Sequence, residues 1–122
     1  MDPLYKEYLI DRYAEKKNFG ELKEKTHELE RRHIGCTDSI IIDLRIENGI
    51  LVDAKFRGKT CFISTIAADS LIENVKGMKV EDILKLGKKD IDKFIGTEVI
   101  STRVGCELFP LETLKKMLEG EK

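Results

Sequence analysis

Between Ser39 and Gly58 the chain reads SIIIDLRIENGILVDAKFRG, and no other stretch restricts its fold as strongly. Asn48-Gly49 supplies the two positive-φ residues of a type I′ turn, whose twist matches that of two paired strands. Before the turn, Ile40, Ile42, Leu44 and Ile46 alternate with Ile41, Asp43, Arg45 and Glu47. After it, Leu51 and Asp53 oppose Val52, Ala54 and Phe56. A period of two is the mark of a half-buried strand. The segment therefore predicts an antiparallel hairpin with one face on a core and the other largely wet.

Helical patterns surround this hairpin. Leu4, Tyr5, Tyr8, Leu9, Arg12 and Tyr13 fall at helical spacing over about Pro3–Lys17, and Asn18-Phe19-Gly20 ends the pattern. Residues 21–35 are nearly all charge and read equally as a helix by propensity or an edge strand by context. After the hairpin, a helix is expected from about Cys61 to Lys76, with Gly77 as its C′ residue. Two short helical segments follow, each closed by a glycine, Gly87 and Gly96. Thr97–Val104 alternates as a strand does, or serves as an extended connector. A last helix is expected over about Cys106–Leu118, with Pro110 in its first turn, where proline is tolerated. The whole is an α+β pattern: a small antiparallel β-sheet of about three strands, helices packed on one face, an N-terminal helix and a C-terminal helix. Residues 1–122 are expected to form a single domain.

Composition removes several functions. Lys and Arg number 22 and Asp and Glu 23, so the chain lacks the basic excess of a nucleic-acid binder or a polybasic membrane anchor. No stretch approaches the roughly 20 apolar residues that a bilayer span needs. The first 18 residues are charged throughout and lack the apolar segment of a secretory signal. The expected location is therefore the cytoplasm, where thiols stay reduced.

Three cysteines then become the informative residues. Cys36 precedes the first hairpin strand, Cys61 lies between the second strand and a helix, and Cys106 lies at the start of the last helix. A cysteine that only fills a core belongs inside an apolar stripe; these three are at element ends. Helix N-termini favour the thiolate, the form that binds metals. Cys36 and Cys61 fall at the same end of the hairpin, because one precedes a strand and the other follows its antiparallel partner. Cys106 cannot be placed this way. Asp38 is two residues after Cys36, so an extended segment points both side chains the same way. Taken alone, Asp38 reads as a turn residue or a cap. Taken with the cysteines, it completes three thiolates and one carboxylate, a set suited to zinc or to a 2Fe–2S cluster. The carboxylate is the harder and weaker partner for iron, which suits release of a cluster better than its storage. No C-x-x-C pair is present, which counts against a dithiol redox enzyme. His27 and His33 read as solvated residues of the charged stretch, although His33 is three residues before Cys36. Lys59 and Arg103 read as cations that offset thiolate charge, or as surface residues.

Several stretches resemble the U-type iron–sulfur scaffold family (IscU, SufU and the N-terminal domain of NifU). They are Gly35-Cys36-Thr37-Asp38-Ser39, Val52-Asp53-Ala54-Lys55-Phe56 and Lys59-Thr60-Cys61-Phe62-Ile63-Ser64. Ser70-Leu71-Ile72, Lys76-Gly77-Met78-Lys79 and Arg103-Val104-Gly105-Cys106 match as well, and the likeness runs from about Tyr5 to Leu118. The resemblance implies that Cys36, Cys61 and Cys106 hold a nascent, transient 2Fe–2S cluster or a zinc ion, with Asp38 beside them. It implies a cysteine desulfurase as sulfur donor and apo iron–sulfur proteins as acceptors, with no enzymatic turnover, and it leaves room for a weak homo-oligomer. Thr37 stands where the family usually has glycine, and Gly105 where the IscU branch has histidine. Gly96–Ser101 replaces that branch's chaperone-recognition motif, whereas Arg103 is similar to the SufU branch. The expected function is assembly and transfer of 2Fe–2S clusters. The alternative is a zinc-binding sulfurtransferase partner of a desulfurase, as in SufU. Cys106 is expected to receive sulfur first, with Arg103 helping to keep it anionic.

Overall fold

A charged segment that is neither clearly helix nor strand adopts whichever structure its neighbours can pair with, and here the neighbour is an open strand edge. In a computed structural model, described for residues 7–33, 38–99 and 104–119, His27–Arg32 forms strand β1. It pairs antiparallel with β2 (Ser39–Glu47), from His27 opposite Leu44 to Arg32 opposite Ser39. Its exposed positions carry Glu28, Glu30 and Arg32, charges of the kind that blunt a sheet edge. β2 pairs antiparallel with β3 (Ile50–Arg57), which completes a sheet of order β1-β2-β3. The turn between them has Asn48 at φ 54° and Gly49 at φ 75°, as a type I′ turn requires.

Strict alternation does not survive in β3. Arg45 is opposite Asp53 and Ile46 opposite Leu51, so Val52 is the extra residue of a β-bulge. The bulge turns Leu51 to the same buried face as Ala54 and Phe56, not to the face opposite them. The outer face is also drier than the alternation predicts. Asp43 is fully buried there, accepting from the Leu22 N–H at 3.0 Å and from Arg57 Nη1 at 2.6 Å. Glu28 accepts from both Arg57 and Lys25 above it. These two cations hold the Glu28 carboxyl at about 2.

Helix α1 covers Glu7–Glu15. The chain leaves it at Lys16, φ 42°, two residues before the expected end; the expected start at Pro3 lies outside the described residues. Residues 18–20 then run along the free edge of β3, with the Phe56 N–H bonded to the Asn18 carbonyl and the Gly20 N–H to the Phe56 carbonyl.

The central helix α2 spans Phe62–Val75, with Lys76 as its C-cap and Gly77 at φ 90° beyond it. Every residue from Ile63 to Ile72 is buried, because α2 packs against α1, β3, α4 (Lys88–Ile95) and α5 (Val104–Leu118). The single turn α3 (Val80–Ile83) is capped by Leu84. Gly87 does not close it, as the sequence pattern predicts, but opens α4, where its N–H donates to the Asp90 carboxylate. Gly96 closes α4 in the left-handed conformation. Residues 97–99 form no strand, and Ile100–Arg103 lie outside the described residues.

The inner sheet face, Ile40, Ile42, Leu44, Leu51, Ala54 and Phe56, joins the helices in one cluster of buried side chains running from Leu9 to Leu118. Among the described residues no helix is long and apolar enough to cross a membrane.

α5 begins two residues earlier than the sequence predicts, which places Pro110 in the helix interior and not in its first turn. Proline has no N–H to donate to the carbonyl four residues back. That carbonyl belongs to Cys106, and the Ser64 hydroxyl of α2 lies 3.0 Å from it. The proline therefore creates the acceptor that ties α5 to α2.

Candidate metal centre

The site forms where the open end of the hairpin meets the first turns of α2 and α5. Gly58, just past β3, makes the meeting possible. Its φ is +124°, and a Cβ there would lie 2.5 Å from the Ser39 carbonyl oxygen. Only glycine tolerates both conditions, and the chain turns back so that the Lys59 carbonyl accepts from the Ser39 N–H at 2.8 Å. Asp38, on the same extended segment, is fastened to the end of β1 by its carbonyl, which accepts from the His33 N–H at 2.9 Å.

Cys61 is the N-cap of α2. Its sulfur accepts from the Ser64 N–H at 3.4 Å, the contact a serine or threonine cap would make. Its own N–H donates to Asp38 Oδ2 at 3.2 Å. Asp38 thus does act as a cap, and this capping places its carboxylate beside the sulfur. Cys106 is the third residue of α5. A carboxylate oxygen of Asp38 and the sulfurs of Cys61 and Cys106 all lie within 4.8 Å of one another. Neither cysteine is in a disulfide.

Zinc–sulfur bonds of about 2.3 Å at tetrahedral angles separate two sulfurs by roughly 3.8 Å. The three donors fit one metal ion, or one edge of a small cluster, with a slight inward movement. All three are partly buried, which shields the centre without sealing it. Asp38 and Cys61 share one end of the sheet, whereas the expected pairing of Cys36 with Cys61 at that end is not described. Cys36 and Arg103 lie outside the described residues.

Other candidates separate from the centre. His27 sits opposite Leu44 in β1, with its ring at 2.8 Å from the Thr26 hydroxyl. His33 is half-buried and not solvated as expected; its ring stacks on Phe109 with centroids 4.9 Å apart. It lies 3.6 Å from where a Cβ on Gly105 would be, so this glycine leaves room for the imidazole beside the first turn of α5. Lys59 is exposed.

Two residues at the site escaped the sequence reading. Ser64 is fully buried and within hydrogen-bond distance of Asp38, Cys61 and Cys106. Its signal was its place three residues after an N-cap, where side chains reach back toward the cap. Glu107, next to Cys106, is also fully buried. Its carboxyl faces the Asp92 carboxylate, and Lys88 Nζ is 3.7 Å away. Burial, with the Asp92 carboxylate nearby, pushes Glu107 up to about 8. This environment favours its neutral form, and its only hint was an acidic residue on the buried side of a helix.

Residues 4–119 match the NifU-like N terminal domain family. The iron-sulfur cluster assembly scaffold protein IscU of Thermotoga maritima is 32% identical over 133 positions, covering 95% of this chain and 93% of that one. The zinc-dependent sulfurtransferase SufU of Bacillus subtilis is 30% identical over 139 positions, covering 100% and 94%. Among solved structures, a scaffold protein for the SUF system from Fervidobacterium islandicum superposes with TM-score 0.76 at 23% identity, covering 95% of this chain and 97% of that one. The N-terminal part of a NifU-like protein from Brucella abortus gives 0.77 at 16%, covering 99% and 97%. At these identities the two structural likenesses speak for the fold alone.

Proposed function

Because this chain belongs to the NifU-like N-terminal domain family, we propose that it is a scaffold on which 2Fe–2S clusters are assembled and from which they are transferred. The observation that carries this reading is the convergence of Asp38, Cys61 and Cys106 from three separate elements onto one centre. Cys36 is the proposed third thiolate. It precedes Asp38 by two positions in the sequence.

The cluster is cargo, so the centre must hold it and also release it. Cys61 caps α2 and Cys106 lies in the first turn of α5, so both sulfurs stand at helix starts. Asp38 supplies a harder oxygen donor, easier to displace by an incoming thiol than a fourth cysteine. A cysteine desulfurase is the proposed sulfur source and apo iron–sulfur proteins the proposed acceptors. No turnover chemistry belongs to the chain itself in this role.

The 30% identity to a zinc-dependent sulfurtransferase over the full chain supports a second reading. The same residues would then hold zinc and relay sulfur without building a cluster. Oxygen-free isolation separates the two. Visible absorption with equal iron and acid-labile sulfide is expected of the scaffold. A colourless protein with stoichiometric zinc that does not exchange for cluster would overturn it. Cys61→Ser or Cys106→Ser is expected to abolish stable loading in either case.

A further inference from the structure

Ser64 belongs to the first turn of α2 and has no exposed surface. Its hydroxyl oxygen is 3.1 Å from Asp38 Oδ2, 3.0 Å from the Cys106 carbonyl and 3.4 Å from the Cys61 sulfur. A serine hydroxyl carries one proton. Asp38 and the Cys106 carbonyl are both acceptors, and so is Cys61 once it is a thiolate. They cannot all receive the proton at once.

The claims are unequal. Asp38 Oδ2 has a second donor, the Cys61 N–H, and the Cys61 sulfur has the Ser64 N–H. The Cys106 carbonyl has lost its helical donor, because Pro110 stands four residues on. When Asp38 ligates no metal ion, its full charge makes it the stronger acceptor. When its charge is shared with a metal ion, it weakens, and the proton is better used on the Cys106 carbonyl.

We propose that Ser64 is a positioning residue that couples the state of Asp38 to the first turn of α5. With Asp38 unligated, the hydroxyl holds the carboxylate against the α2 cap. With Asp38 ligated, the hydroxyl turns to the Cys106 carbonyl and secures α5, and with it the Cys106 thiolate, over the loaded centre. The inference rests on Asp38, Cys61 and Cys106 being a ligand set.

Cobalt(II) is the probe, since its visible bands and thiolate charge-transfer absorption report ligand type independently of any assembly activity. Titrations under reducing, oxygen-free conditions would compare wild type, Ser64→Ala, Asp38→Ala and the double variant, with circular dichroism reporting the fold of each. Unligated Asp38 is the stronger acceptor, so the hydroxyl stabilises the empty centre more than the loaded one, and Ser64→Ala is expected to tighten cobalt binding about fivefold. In the Asp38→Ala background the same substitution should change affinity by no more than about twofold, because the path runs through Asp38. Ser64→Thr keeps the hydroxyl and should bind close to wild type. Equal changes in both backgrounds, unchanged or weaker binding in Ser64→Ala, or a Ser64→Thr that binds as tightly as Ser64→Ala would each overturn the proposal. Wild type that takes up no cobalt with thiolate absorption would instead overturn the ligand set itself, and the coupling with it.

Discussion

Asp69 of α2 is 1% exposed and receives three hydrogen bonds through its carboxylate. Asn18 donates from its backbone N–H at 2.9 Å and from Nδ2 at 3.1 Å, and Arg12 Nη1 donates at 2.9 Å. The group thereby fastens α1 and residues 18–20, the segment that closes the β3 edge, to the central helix. Asp69→Ala removes both acceptor oxygens and with them all three bonds. Asn18 is 5% exposed, so its N–H is left buried without an acceptor, at about 1–3 kcal/mol. Its Nδ2 retains the Asp69 carbonyl and Glu73. The Arg12 side chain is 28% exposed and turns to water, with a loss of about 1 kcal/mol. The total is about 3 kcal/mol, against the ~5–15 kcal/mol stability of a typical domain. With an m-value of about 1.5 kcal/mol/M, the urea midpoint should fall by about 2 M. Asp69→Asn keeps one acceptor for the Asn18 N–H and should lose about half as much. A shift below about 0.5 M for Asp69→Ala, or equal shifts for both variants, would refute the reasoning.

Gly58→Ala should lower stability by about 3 kcal/mol, since positive-φ strain adds to a 2.5 Å backbone clash; a melting temperature within a few degrees of wild type would contradict this. Glu107 carries the opposite sign from an ion-paired carboxylate. Its proton is held in the folded state to about pH 8 and lost at an ordinary 4.5 when unfolded, so stability is greatest below pH 4.5 and declines as pH rises toward 8. Glu107→Gln should flatten that decline, by ~2 kcal/mol after solvent screening is allowed for; denaturant midpoints at pH 5 and pH 8.5 that move in parallel for the two proteins would show the effect is absent. Glu28, held down to about 2 by Lys25 and Arg57, stabilises above pH 4.5, and its contribution disappears as pH falls through 2. Glu28→Gln should therefore soften acid unfolding. Asp38→Ala should slow cluster transfer to an acceptor protein severalfold, and unchanged transfer kinetics would remove Asp38 as the labile ligand.

Much of the fold was legible because its signals are local. Asn48-Gly49 named its own turn, and Gly77 closed α2 where the pattern ended. The failures came where a partner made the decision. Residues 27–32 became a strand because β2 offered an unpaired edge. Leu51 changed faces because one extra residue, Val52, entered the ladder. Pro110 was placed in a first turn, but α5 is long enough to enclose it.

By itself, the sequence singled out the candidate residues for the chemistry: three cysteines, with Asp38 two positions from the first. Their types and order follow from covalent structure and need no fold. Tertiary structure decided which donors meet. Gly58 lets the chain fold back on Ser39, Asp38 caps α2 across that gap, and Pro110 leaves a carbonyl for Ser64 to hold. None of these contacts is local, with Asp38 and Ser64 26 residues apart and Ser64 and Cys106 42 apart. Sequence spacing carries no signal for such distances; a hydrogen bond between them exists only after the core has brought β2, α2 and α5 together.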